Sequence, residues 1–189
     1  MKRRPMKNVI LVLTLLMFSS CNTFQFTTGK ANLLTGISQT NLLAAINDFR
    51  ASNTTCTTAG VTTTYTPGAL PAYTWNIKLE TAALSHANFL EQRNKNVAVG
   101  DPHNGAGDAS VGVRLQAAGF FGSTYGENIG AGQLTVDTLI EAFRVSTNGH
   151  CNNLMDSDFT QVGAAFIFDD DAAGVKKHDN YWVLDFGKN

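Results

Sequence analysis

The chain lacks an apolar run long enough to cross a membrane and, beyond its first residues, any run of basic residues. Its main apolar stretch covers residues 9–18, whereas a membrane-spanning helix needs about 20 residues. Residues 1–20 contain four basic and no acidic residues, so the remaining chain has ten Lys plus Arg against fifteen Asp plus Glu. Nucleic-acid affinity comes largely from Lys and Arg that neutralise phosphates. We therefore expect no nucleic-acid partner.

The N-terminus has the organisation of an export signal. Lys2, Arg3 and Arg4 precede the apolar stretch, which ends at Ser19-Ser20-Cys21. A basic start, a short apolar segment and small residues are typical of a secretory signal peptide. The small residues before Cys21 resemble the bacterial lipoprotein signal, in which this cysteine becomes the lipidated first residue, with palmitate among its acyl groups. Ordinary cleavage that leaves a free Cys21 is the alternative.

Cysteine is scarce, with three residues in the chain. Once Cys21 is assigned to lipid, Cys56 and Cys151 remain, and a pair of cysteines in an exported protein persists as a disulfide. This bond would close a loop of about 95 residues, for which the chain-entropy model gives about 4–5 kcal/mol. Two separate buried thiols are the alternative to the predicted bond.

The chain shows no internal repeat and no domain linker, and its length predicts a single domain. We assign residues 1–20 to the signal peptide, 21–37 to the lipidated cysteine and a tether, and 38–189 to the domain. Apolar spacing and capping residues predict four helices. They run from Ser38 or Thr40 to about Ser52, from Asn76 to about Asn94, from Ser110 to Ala118 before Gly119, and from Thr135 to about Asn148.

Extended structure is predicted elsewhere. Residues 53–74 have nine threonines and turn residues, which predicts a long, partly extended loop. Residues 126–132 predict one short strand between glycines. The apolar runs Val162–Phe168 and Tyr181–Phe186 predict an antiparallel hairpin. Helices first and a hairpin last predict an α+β fold, with helices packed on an antiparallel sheet.

Short motifs along the chain resemble, in their order and spacing, the CAP superfamily of cysteine-rich secretory, antigen 5 and pathogenesis-related proteins, whose domain is also called SCP-like. The resemblance covers residues 40–189 and implies a three-layer α-β-α sandwich. The motifs are Trp75-Asn76, Pro102-His103-Asn104-Gly105, Arg114 to Gly119, Gly126-Glu127-Asn128-Ile129-Gly130, Gly149-His150-Cys151, and Tyr181 to Gly187.

The resemblance also implies a cleft lined by two histidines and two acidic residues. Three of these fall on His103, Glu127 and His150, and Ser146 stands where the family has its last glutamate. Glu141 does not replace it, because two positions along a helix separate side chains by about 160°. A Ser146–His150 nucleophile pair would suit a helix, but Gly149 interrupts the turn.

The cleft has a metal-binding and a structural interpretation. Two imidazoles and a carboxylate suit a divalent ion, so His103 and His150 are candidate zinc ligands, with water in the open position. Alternatively, the three side chains hold their loops together through hydrogen bonds. In either case we expect Glu127 to raise the pKa values of both histidines and fix their tautomers. His86, among alanines, is expected to be a hydrogen-bonded core histidine.

The leading functional hypothesis is an exported module, lipid-anchored to the membrane in the periplasm or on the cell surface, that binds a ligand or an envelope component without turnover. The first alternative is a hydrolase of peptides or envelope polymers, with zinc on His103 and His150 and Glu127 as general base. The second alternative is a carrier of sterols or fatty acids, which the resemblance alone suggests.

Overall fold

The structure is a computed structural model, and it describes residues 38–52, 54–95, 101–106, 109–168 and 178–189. The predicted signal peptide, the lipid on Cys21 and the tether lie outside the described residues. In chain order the elements are α1 (Gln39–Ala51), β1 (Thr54–Thr58), β2 (Val61–Tyr65), β3 (Thr74–Trp75), α2 (Ile77–Lys95), α3 (Val111–Ala117), β4 (Thr124–Ala131), α4 (Val136–Val145), α5 (His150–Met155), β5 (Gln161–Phe168) and β6 (Asn180–Lys188).

Three predicted helix starts are confirmed by side-chain caps, which satisfy backbone N–H groups that have no partner inside the helix. The Ser38 hydroxyl accepts the N–H of Asn41 at 3.1 Å. The side-chain amide oxygen of Asn76, Oδ1, accepts a hydrogen bond from the backbone N–H of Lys78 at 2.8 Å and thereby starts α2. Thr135 forms a capping box at the start of α4. These starts are set by local sequence.

The main sheet has the strand order β3-β5-β6-β4. The predicted hairpin is confirmed, because β5 and β6 pair antiparallel, with Phe168 opposite Asn180 at its closed end. β4 pairs antiparallel with the other edge of β6. The short strand β3 pairs parallel with β5, so the sheet is mixed at one edge rather than antiparallel throughout.

Four elements were not predicted from the sequence, namely β1, β2, β3 and α5. The threonine-rich segment forms a second, two-stranded sheet of β1 and β2. Its turn is Ala59-Gly60, with φ of 51° and 82°, and positive φ at both central residues is the geometry of the tight hairpin turn. The six-residue helix α5 follows Gly149, which has a φ of 89°.

Helices cover both faces of the main sheet, which confirms the three-layer arrangement. One face packs against α2, with Ala83, Ala87 and Leu90 buried against the sheet. The other face packs against α1 and α4 around Trp182 and other aromatic residues. None of the described helices is long and apolar enough to span a membrane.

The predicted disulfide is confirmed. Cys56 in β1 and Cys151 in α5 are bonded, with their Cα atoms 5.4 Å apart. Both are fully buried beside Met155. The bond fixes the start of α5, and thus His150, to the small sheet.

Candidate functional site

The candidate site is built on residues from three separate segments. His103 lies in the loop that follows α2, Glu127 lies in β4, and His150 is the first residue of α5. The amide of Asn128 in β4 donates to the carbonyl oxygen of His150 at 2.9 Å. Asn128 therefore satisfies a backbone acceptor at the start of α5.

Glu127 is the centre of the arrangement, and its side chain is 1% exposed. One oxygen, Oε1, accepts a hydrogen bond from Nδ1 of His103 at 2.9 Å. The other, Oε2, accepts one from the Arg114 guanidinium at 2.5 Å. Burial by itself would raise the pKa of Glu127, but the hydrogen bonds from His103 and Arg114 and the positive charge of Arg114 hold it below its ordinary value. Glu127 is therefore a buried anion, and each of its two carboxylate oxygens accepts a hydrogen bond.

His103 is the member of this group that faces solvent, with 39% of its side chain exposed. Its backbone N–H donates to Asp101 at 2.9 Å, and its carbonyl oxygen accepts from Arg114 at 2.8 Å. The hydrogen bond to Glu127 is the main cause that raises the pKa of His103. Because Nδ1 is engaged by the carboxylate, Nε2 is the ring nitrogen left for a ligand.

His150 lies in a different environment. Its ring packs edge-on against Phe143, with 5.1 Å between ring centroids. Burial lowers the pKa of His150, and positive charge on His103 lowers it further. The expectation that Glu127 raises both pKa values is therefore confirmed for His103 and wrong for His150, because the carboxylate is directed at His103 and Arg114.

The other two sequence candidates are engaged outside this group. Ser146 caps the C-terminus of α4, and its hydroxyl accepts the N–H of Asn148 at 3.2 Å. Ser146 and His150 do not share a helix, since the chain breaks at Gly149. Glu141, which was not expected to replace the family glutamate, is exposed, and both its oxygens accept bonds of 2.6 Å from Arg144.

Three buried polar residues around Glu127 were not assigned to the site from the sequence. They are His86 in α2, Arg114 in α3 and Asp185 in β6. His86 is fully buried and hydrogen-bonded to the carbonyl oxygen of Pro102 at 2.8 Å, as expected, but it also lies 3.9 Å from Oε1 of Glu127. The signal that could have revealed Asp185 is an acidic residue inside an apolar strand.

The donor set does not fit a zinc site with three protein ligands. Within the part of the chain that the structure describes, no group of three His, Cys, Asp or Glu side chains could hold a metal ion. Both oxygens of Glu127 bind other protein groups, and the Ser146 hydroxyl is engaged in its own turn. Two imidazoles remain, whereas zinc sites in proteins use three or four protein ligands.

Comparison with known proteins agrees with this fold. The model of the cysteine-rich secretory protein family, CAP, matches residues 43–186, and the chain therefore belongs to the CAP family. No curated protein matches the chain closely enough to count as a relative.

The solved structures to which this chain is similar are distant from it in sequence. A cysteine-rich secretory protein from Staphylococcus aureus is 19% identical with a TM-score of 0.50, covering 84% of this chain and 38% of its own. An extracellular SCP-domain protein from Bacillus anthracis is 22% identical with a TM-score of 0.49, over 64% of this chain and 35% of its own. An outer surface protein from Borrelia burgdorferi is 16% identical with a TM-score of 0.48, over 64% of this chain and 80% of its own.

Proposed function

We propose that this protein is an exported, lipid-anchored CAP-domain binding module without turnover, whose ligand contacts the imidazoles of His103 and His150. The observation that carries the proposal is the fixed ring of His103. Glu127 holds Nδ1 at 2.9 Å while 39% of the side chain stays exposed. A ring held in one tautomer with one free nitrogen is prepared for a ligand before the ligand arrives.

The two imidazoles favour a ligand with a carboxylate or phosphate group. The raised pKa of His103 keeps this ring positively charged at a higher pH than an ordinary histidine, and the lowered pKa of His150 keeps the second ring neutral. A charged ring attracts an anion, and a neutral ring adds one donor and one acceptor. Envelope polymers and lipid headgroups carry such anionic groups, and we propose this chemistry for the partner.

The geometry gives no support to Glu127 as the general base of a hydrolase. A base needs an oxygen within reach of the attacking water, and both oxygens of Glu127 are bound by His103 and Arg114. Its lowered pKa also makes it a weaker proton acceptor than an ordinary glutamate. These two observations favour binding without turnover over hydrolysis with Glu127 as the base.

The experiment titrates the purified full-length chain with sodium phosphate and, separately, with sodium acetate. NMR signals of the histidine ring nitrogens are recorded at each anion concentration. We expect the His103 and His150 signals to shift together with one of the anions. His103→Ala should abolish the response, and His178→Ala is the matched control that should retain it. Ring signals unaffected by either anion would refute the proposal, as would hydrolysis of a peptide that His103→Ala abolishes.

The membrane anchor needs a separate measurement. The proposal of export and lipidation rests on residues 1–21, and export agrees with membership of a family described as cysteine-rich secretory proteins. Intact mass of the chain isolated from a bacterial membrane should show acyl groups on Cys21. A mass without lipid would leave the binding module but remove the anchor.

A further inference from the structure

Asp185 is an acidic residue in the centre of the sheet. It is fully buried and lies in β6 directly between Glu127 of β4 and Gly163 of β5. At Gly163 the start of α2 approaches so closely that an added Cβ would lie 2.1 Å from the backbone nitrogen of Glu80. The side of the sheet that carries Asp185 is therefore closed by the helix.

No described residue donates a hydrogen bond to either oxygen of Asp185. The nearest guanidinium, that of Arg114, donates instead to Glu127 and to the carbonyl oxygens of His103 and Ala109. Glu127 lies directly opposite Asp185 in the pair of β4 and β6, and residues that face each other in this way have Cβ atoms about 4.5–5.5 Å apart on the same side of the sheet, so the two buried carboxyl groups are neighbours. Two carboxylates can form a hydrogen bond only when one of them carries a proton.

The surrounding charges decide which carboxyl group keeps the proton. Glu127 receives hydrogen bonds from His103 and Arg114 and has His86 at 3.9 Å. The two hydrogen bonds stabilise a negative charge on Glu127, whereas burial lowers the pKa of His86 and so disfavours a positive charge on that ring. Glu80, a buried acid on α2, accepts a hydrogen bond of 2.7 Å from the indole of Trp75. As an acid it supplies no positive charge that could neutralise Asp185.

We propose that Asp185 is a neutral carboxylic acid whose hydroxyl donates to Glu127, and that it acts as a positioning residue for the His103 ring. Glu127 can then hold three donors at once, since a carboxylate offers about four lone-pair sites. The ring of His103 is oriented by Glu127, and Glu127 in turn is held by Asp185 from inside the sheet. The protonation of Asp185 does not depend on the proposed ligand, whereas its consequence for binding rests on the proposed function.

The first test needs no substitution. Burial raises the pKa of Asp185 well above its ordinary value, and the negative charge of Glu127 raises it further. In the full-length chain labelled with ¹³C at aspartate carboxyl groups, one signal should therefore keep the chemical shift of the protonated form at neutral pH and be missing from Asp185→Asn. If every aspartate carboxyl is ionised at pH 7, the proposal is wrong.

The second test compares two variants. Asp185→Asn keeps a hydrogen-bond donor without a titrating proton, and Asp185→Ala removes the donor. We expect the pKa of His103, followed by NMR, to stay raised in Asp185→Asn and to fall in Asp185→Ala. Equal pKa values in the wild type and in Asp185→Ala would show that Asp185 does not position the ring.

Stability supplies an independent measurement. The pKa of Asp185 is higher in the folded than in the unfolded chain. At pH values between these two pKa values, unfolding releases a proton from Asp185. The free energy of unfolding of the wild type therefore falls as pH rises through this range. Its unfolding constant should therefore increase relative to that of Asp185→Asn by up to about tenfold per pH unit above about pH 4. A ratio that is independent of pH would overturn the proposal even where both proteins bind the anion normally.

Discussion

Replacing Arg114 with methionine tests whether Glu127 is a buried anion that depends on its partners. The substitution preserves much of the side-chain volume but removes the guanidinium. Its bonds to Glu127, to the carbonyl oxygen of His103 and to that of Ala109 are all lost. Glu127, whose side chain is 1% exposed, keeps the hydrogen bond from His103 and the proposed one from Asp185 but loses the guanidinium charge.

The magnitude follows from the cost of leaving a buried charge without its counterion. Removing one partner of a buried ion pair costs about 3–5 kcal/mol, because the remaining charge is neither paired nor hydrated. For a domain of this size, about 1 kcal/mol shifts the melting temperature by about 2–4 °C. We therefore expect Arg114→Met to lower the melting temperature by about 6–20 °C.

Arg144→Met is the matched control. The Arg144–Glu141 pair has equally short bonds of 2.6 Å, but the Glu141 side chain is 58% exposed, and exposed pairs contribute little. Thermal unfolding of both variants, followed by circular dichroism, gives the comparison. If the two substitutions lower the melting temperature equally, burial does not determine how much the Arg114–Glu127 pair stabilises the fold. Glu127 would then not be a buried anion that depends on its partners.

Two further predictions concern packing and pH. Gly163→Ala should destabilise the fold by about 3 kcal/mol or more in urea unfolding, because its Cβ would overlap the backbone of α2 at 2.1 Å; a change below 1 kcal/mol would contradict the close approach. The raised pKa of His103 contributes stability below about pH 6.5 that is lost as pH rises through the folded value. His103→Gln should therefore lower the melting temperature more at pH 5.5 than at pH 9, and the opposite order would contradict the ion pair with Glu127.

Much of the fold could be predicted because its signals are local. The caps Ser38, Asn76 and Thr135 each satisfy N–H groups two or three residues away, so a short window of sequence contains the information. The hairpin of β5 and β6 follows from two apolar runs. The hairpin of β1 and β2 was missed because its threonines are mostly exposed and provide no apolar alternation.

The site could be predicted only in part, because its bonds connect distant positions. Motif resemblance placed Glu127 beside His103, 24 positions away in sequence. It gave no reason to add Arg114, since a single arginine in a short helix has many possible partners. Nor did it show that Asp185 faces Glu127, because the register of β4 on β6 depends on how the whole sheet assembles.

The arrangement separates the parts of the site by role. Glu127, Arg114 and Asp185 are buried, so substitutions there change the stability of the fold together with any binding. His103 is exposed and His150 partly so, which makes these two rings the positions where ligand contact can change without unfolding the domain. A ligand that depends on charge should therefore respond to His103→Gln in the folded protein. The loss of binding in Arg114→Met, by contrast, should follow the loss of folded chain.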